Sequence, residues 1–152
     1  MREILFRGKR IDNGEWVYGD LIKDYLSGQY FIHPYGDSAN ESDKVGEEGC
    51  LRFFSFEVIP ETISEYTGLT DKNGNKIFEG DIIKVVTEDT HEERFIEVGI
   101  GEFTDDGSGD LFIGAYLKYD GFTVSAGQIK ECGSNGVEII GNIYDNPELL
   151  EK

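Results

Sequence analysis

Residues 65–85 constrain this chain more than any other stretch, because a hairpin signal there runs directly into a strand entry. Asn73-Gly74 lies between residues 66–70 and 76–78, and both residue types tolerate the positive φ that a tight turn matched to strand twist requires. A hairpin is expected. Gly80-Asp81 then reads as a sharp bend into Ile82-Ile83-Lys84-Val85-Val86, a β-branched run too short and too weakly periodic for a helix. That run is expected to be a buried strand, so the stretch specifies structure rather than chemistry.

Asp71, Asn73 and Asn75 also stand at alternate positions, as the first calcium ligands of an EF-hand loop do. The sixth position would be Lys76 instead of glycine, and the twelfth Ile82 instead of a bidentate glutamate. Such a loop would lack both its bend and its strongest ligand, so a plain hairpin is the better reading. Asp106, Ser108 and Asp110 fail the same test, with Leu111 at the sixth position.

Elsewhere the pattern is of short strands and turns. Ile4-Leu5-Phe6-Arg7 is a strand candidate, followed by Asn13-Gly14 as a second hairpin turn and residues 15–23 as the return strand. The order Asn13-Gly14 to Gly19-Asp20-Leu21-Ile22-Lys23 is echoed, one residue longer, by Asn73-Gly74 to Gly80-Asp81-Ile82-Ile83-Lys84. Duplication of a β unit and reuse of the same turn chemistry both account for this echo. Residues 29–33 read as a third strand ended by Pro34, and residues 35–49 as a polar, acidic loop. In residues 51–59 alternation puts Phe54, Phe56 and Val58 on one face, expected to be core. Residues 95–103 and 111–119 read as strands joined by a turn over 104–110, with Gly99 and Gly101 suggesting a bend, and residues 121–125 and 137–140 as the last strands. Asn146-Pro147-Glu148 reads as a helix start, since Asn caps free amides, Pro suits the first helical position and Glu complements the positive helix end. Leu149 and Leu150 would dock that terminal turn on the sheet.

Composition narrows the class. A chain of 152 residues suits one domain or two small ones and buries roughly 70% of its unfolded surface, enough for a core without staples. Only Cys50 and Cys132 are present, no signal peptide opens the chain, and no apolar run approaches the ~20 residues of a membrane span. A reduced cytoplasmic setting without membrane attachment is expected. The formal charge of −17, from 31 acidic and 14 basic side chains, argues against direct nucleic acid binding, which needs clustered Lys and Arg to release counterions. It fits either solubility by self-repulsion or an electrostatic imitation of nucleic acid. Arg2, Arg7, Lys9 and Arg10 concentrate positive charge in the first ten positions. They read either as a basic edge strand protected by its charge or as a contact to an acidic surface of another copy in a homo-oligomer.

Three stretches carry a family resemblance: Tyr66-Thr67-Gly68-Leu69-Thr70-Asp71-Lys72-Asn73-Gly74, then Ile77-Phe78-Glu79-Gly80-Asp81-Ile82, and Ile140-Gly141-Asn142-Ile143-Tyr144-Asp145-Asn146-Pro147-Glu148-Leu149-Leu150. They resemble the signature of the YopX family of phage and prophage proteins, and residues 2–7 and 58–63 are similar too. The resemblance implies a β-rich protein whose C-terminal part is an SH3-like barrel. It implies no activity and hence no catalytic residues.

The residues themselves offer no reaction centre. Phosphate loop, nucleophile elbow and zinc-spaced Cys or His sets are absent, and His33 and His91 lie far apart in sequence. Asp20 and Asp81, each following a glycine, read as strand-start residues bonding local backbone amides rather than as a carboxylate pair. The expected architecture is therefore mainly β: an N-terminal β-hairpin unit over residues 1–60 joined to an SH3-like small β-barrel over residues 61–152, with a short C-terminal helix. No catalytic, cofactor-binding or metal residue is assigned, and no cofactor. The expected role is a non-enzymatic phage accessory module binding a host or phage protein. An acidic decoy for a DNA-binding protein and an unrecognised enzyme are the rival readings.

Overall fold

The computed structural model describes residues 3–34, 55–86, 90–127, 129 and 136–151. The expected acidic loop over 35–49, Phe54 and both cysteines lie outside the described residues. The chain divides into two compact units, residues 1–66 and 67–152. The protein is mainly β, built of two antiparallel sheets.

In the first unit β1 (Phe6–Lys9), β2 (Trp16–Lys23), β3 (Tyr30–Pro34), β4 (Phe56–Glu57) and the start of β5 (Ser64–Thr70) line up in the order β4-β3-β2-β1-β5. Alternation decides the core. Val17, Ile32 and Val58 are buried together, with Phe6, Leu21, Tyr30, Phe56 and Ile63 packed against them, and full burial of each such side chain stabilises by about 2 kcal/mol. Phe56 and Val58 thus take the core positions their spacing assigns. A 3-10 turn, Pro60–Thr62, follows; the Thr62 hydroxyl donates to Ile59 C=O and accepts from Lys9 N–H.

β5 carries the chain into the second unit, where it pairs with β6 (Lys76–Phe78). β7 (Asp81–Val86), β8 (Glu93–Thr104), β9 (Leu111–Tyr119), β10 (Phe122–Ser125) and β11 (Val137–Asn142) form a five-stranded sheet in the order β10-β9-β8-β7-β11. β10 and β11 are its two edges, so among the described residues the sheet is open. Its core is Ile77, Ile83, Ile96, Val98, Leu117 and Val137 with Leu69, Ala126 and Ile129. The β-branched run predicted to be a buried strand is β7, with Ile82 and Ile83 fully buried. The chain ends in one 3-10 turn, Pro147–Leu150. Asn146 makes no cap bond there, because its Oδ1 accepts instead from Asn142 N–H.

One loop form recurs. In residues 10–15, 24–29 and 105–110 the first N–H donates to the last C=O at 2.9 Å, and the fifth residue's N–H donates back to the first C=O. That fifth residue is always glycine in the left-handed region, Gly14 at φ 72°, Gly28 at 74° and Gly109 at 79°. Residues 71–75 are the same form one residue shorter, with Gly74 at φ 81°. Asn73 does not share that conformation, so only the glycine of the Asn-Gly pair has positive φ.

The sequence echo between the units ends with this loop. Gly80 bends the chain at φ 81°, whereas Gly19 lies within β2, where a Cβ would sit 1.8 Å from His33 C=O. Asp81 is buried and accepts Phe78 N–H at 2.8 Å, while Asp20 is an exposed mid-strand residue opposite His33. Similar residues therefore do different work in the two places.

Both edges of the five-stranded sheet are closed by one device. At β11, Lys72 N–H donates to Val137 C=O and Ile139 N–H donates to the Asp71 carboxylate. At β10, Asp106 N–H donates to Thr123 C=O and Ser125 N–H donates to the Asp105 carboxylate. In each case an aspartate and the backbone that follows it take the place of a further strand. The other carboxylate oxygen gathers its own turn: Asp71 Oδ1 accepts Asn73 and Asn75 N–H, and Asp105 Oδ1 accepts Gly107 and Ser108 N–H. Both aspartates are buried, 3% and 6% exposed.

These bonds set the acid behaviour. Burial of Asp71 opposes its ionisation, but the N–H groups of Asn75, Ile139 and Asn73 outweigh it and hold the carboxyl below its ordinary 3.8. At Asp105 the N–H of Ser125, then that of Ser108, does the same. A depressed folded-state value means stability that is complete above the unfolded value and is lost as pH falls through the folded one. Urea midpoints are expected to be flat from neutrality to about pH 5 and to fall below about pH 4. Asp71→Ala should cost about 3 kcal/mol at pH 7, because it leaves several N–H groups without an acceptor, and should flatten the acid limb of the same titration. For the glycines, Gly19→Ala should cost about 3 kcal/mol through its clash with backbone, and Gly14→Ala, in open space, about 1 kcal/mol; urea denaturation measures both.

Candidate functional site

Several of the described side chains able to do chemistry are committed to structure. The turn that resembles a calcium loop has the opposite polarity: N–H donors of residues 73 and 75 point at Asp71 and occupy the lone pairs a cation would need. In the other candidate loop, Asp106 Oδ2 accepts Thr123 N–H and Ser108 Oγ accepts Asp110 N–H. Among the described residues no group of three or more His, Cys, Asp or Glu is placed to hold a metal ion. His33 lies on β3 in the first unit, its Nδ1 buried, and His91 is an exposed residue ahead of β8 in the second unit at φ 56°.

Arg7, Lys9 and Arg10 do not form a sheet edge; Arg2 lies outside the described residues. β1 lies inside its sheet, between β2 and β5. Arg7 is only 5% exposed, its guanidinium 4.6 Å from the centre of the Trp16 ring, with the Lys9 ammonium 5.5 Å from the same ring. Arg10 stacks 3.8 Å over Phe56 and bonds Asp12 through two nitrogens, at 2.9 and 2.6 Å. Reading these charges from their clustering alone missed the aromatic partners, although Trp16 sits where a return strand would place it opposite Lys9.

The second unit has a cleft of about 460 Å³ between β8, the end of β9 and the C-terminal 3-10 turn. Phe95, Tyr119, Leu149 and Leu150 give it apolar walls, and Glu93, Glu97, Asp120, Arg94 and Lys118 ring it with charge. The Arg94 guanidinium lies 5.7 Å from the centre of the Tyr119 ring, whose other neighbour, Phe122, is 56% exposed. The floor is shaped by Asp120-Gly121, a two-residue turn with φ 47° and 81° that pairs Tyr119 with Phe122. Both central residues of this tightest hairpin have positive φ, the geometry whose twist matches its strands. The Asp-Gly pair is its signal in the sequence; counting Gly121 as the first strand residue concealed it. The arrangement offers an amphipathic surface with mixed charge, suited to gripping a side chain or a peptide.

A mainly β protein of two small units, with its buried carboxylates turned toward its own backbone and an amphipathic cleft on the second unit, is the class these features define. The chain belongs to the YopX family: the family described as YopX protein matches residues 5–151. Among solved structures, the crystal structure of protein EF1440 from Enterococcus faecalis is similar, with a TM-score of 0.53 and 24% identity over 99% of each chain. At that identity the likeness concerns the fold. No curated protein matches the chain.

Trp16 is the sole tryptophan and reports on the cationic cluster. Arg7→Ala should shift its emission and destabilise by about 2 kcal/mol, as loss of a buried stacked cation does. Lys9→Ala should cost under about 0.5 kcal/mol; fluorescence-detected urea melts of the two variants test the ordering.

Proposed function

We propose that this protein is a non-enzymatic protein-binding module, an accessory protein of phage or prophage origin working in the bacterial cytoplasm. The observation that carries the reading is how the side chains are spent. Asp71, Asp81 and Asp105 serve backbone amides, whereas Leu111 and Ile113 stand 64% and 85% exposed on one face of β9, and Phe122, at the far end of that strand, stands 56% exposed. Solvent-facing apolar side chains in a contiguous group are the ordinary mark of an interaction surface. The phage setting rests on the family resemblance.

The SH3-like reading of the second unit belongs to this proposal. Its support is the order β11-β7-β8-β9-β10, a meander of four strands with the fifth returning beside the first, as in small barrels of that kind. Such a fold presents surfaces readily but assigns no partner by itself.

A second reading, an acidic decoy for a DNA-binding protein, draws on the net charge of −17. Affinity capture from lysate of the bacterial host, at low and at high salt, separates the two. A module held by apolar contacts should retain the same partner at both salts. A DNA-binding protein held only at low salt and displaced by DNA would favour the decoy and overturn the module.

A further inference from the structure

The exposed apolar residues of β9 occupy a defined place in the sheet. Leu111 and Ile113 are two positions apart and so share a face. The register sets Leu111 opposite Thr104 and Ile113 opposite Glu102. Further along the same alternation come Ala115 and then Leu117, which pairs with Val98; Leu117 and Val98 are buried in the core, with Ala115 packed against it. The face that builds the core therefore continues past it as an overhang, and its last β9 positions stay apolar although they face water. Solvated strand positions are ordinarily polar, so folding alone gives no reason for Leu and Ile there.

The charged side chains beside the overhang on its own two strands and their loop are acidic. Glu102 stands on the same face, Asp110 adjoins Leu111, and both are exposed. Residues 95–117 contain five acidic side chains and no Lys, Arg or His. Three of the five lie away from the strip, Glu97 in the cleft and Asp105 and Asp106 in the β10 closure. The remaining two, Glu102 and Asp110, rim it.

We propose that this acid-rimmed strip docks a basic segment of a partner protein, apolar side chains covering Leu111 and Ile113 while flanking Lys or Arg reach Glu102 and Asp110. The assignment rests on the protein-binding reading above and specifies its surface and the chemistry of its partner. Charge complementarity selects the occupant: a second copy would set the same carboxylates against each other in an already strongly acidic chain.

The test uses the full chain and a synthetic amphipathic peptide of about 14 residues, Leu on one face and Lys on the other, followed by calorimetry and by backbone amide shifts. Binding should move amides of residues 102–104 and 111–113. It should weaken about tenfold or more in Leu111→Ser/Ile113→Ser and in Glu102→Gln/Asp110→Asn. Peptides with Leu replaced by Ser, or Lys by Glu, should not bind. All four substituted side chains are exposed, and unchanged near-ultraviolet spectra verify that the variants fold. Equal binding to wild type and both variants, or no binding, overturns the proposal, as does a dimer of the wild type that the Ser variant loses. If the shifts fall instead at Tyr119, Phe122 and Leu150, or a lysate partner is captured equally by wild type and Ser variant, the strip is excluded while the module reading stands. Loss of any partner for every form would remove both.

Discussion

Two buried aspartates hold the second unit in its present form. A five-stranded sheet that does not close leaves N–H and C=O groups along both edges, and such edges recruit further strands. Here the edges are met by the chain's own turns. One oxygen of Asp71 reaches across to Ile139 N–H, and one oxygen of Asp105 reaches Ser125 N–H. The following residue in each case returns an N–H to the neighbouring edge carbonyl. A carboxylate is well suited to this duty because it accepts several amide bonds at once, and charge-assisted bonds are stronger than neutral ones. At β11 the side chains reinforce the closure: Lys72 and Lys84 flank Glu138, 3.3 and 3.5 Å away, and the hydrogen bond from Lys72 holds that carboxyl below its ordinary 4.5.

Sealed edges shape how this unit can meet another molecule. Recognition by adding a strand is blocked where the aspartate turns sit, which leaves the sheet's faces and its clefts as the available surfaces. That is where the exposed aromatics and aliphatics are, near the C-terminal turn and on the β8–β9 overhang. The first unit follows another plan, with its cations folded onto Trp16 and Phe56 and a small core beneath.

Local chemistry made much of this architecture readable from the residues. The hairpin at 71–75, the buried β7 and the span of β9 follow from glycine placement and side-chain periodicity, which act over a few residues. What escaped notice acts over distance. Asp71 and Ile139 are 68 residues apart, and Asp105 and Ser125 are 20 apart, so nothing near either aspartate announces its partner. Asp105 looked like one more polar residue of a turn. The N-terminal charges misled for a related reason: a cluster of Arg and Lys gives no sign that β1 is flanked on both sides or that Arg7 is buried against an indole. At the C-terminus Asn-Pro-Glu carries the signals of a longer helix, but only four residues follow the cap before the turn ends.

The unequal reach of the two aspartate closures bears on how the chain is completed during synthesis. Ser125 follows Asp105 by 20 residues, so the β10 edge is closed soon after it forms. Ile139 follows Asp71 by 68 residues, and until it emerges the carboxylate of Asp71 has no partner strand and β7 is exposed along one side. Long-range pairing of this kind is slow because loop-closure entropy must be overcome first, and unpaired strand edges favour aggregation in the interval. A ribosome stalled short of residue 139 therefore holds a nascent chain with one finished border and one adhesive one, and its solubility during that interval falls to the strong negative charge it already carries.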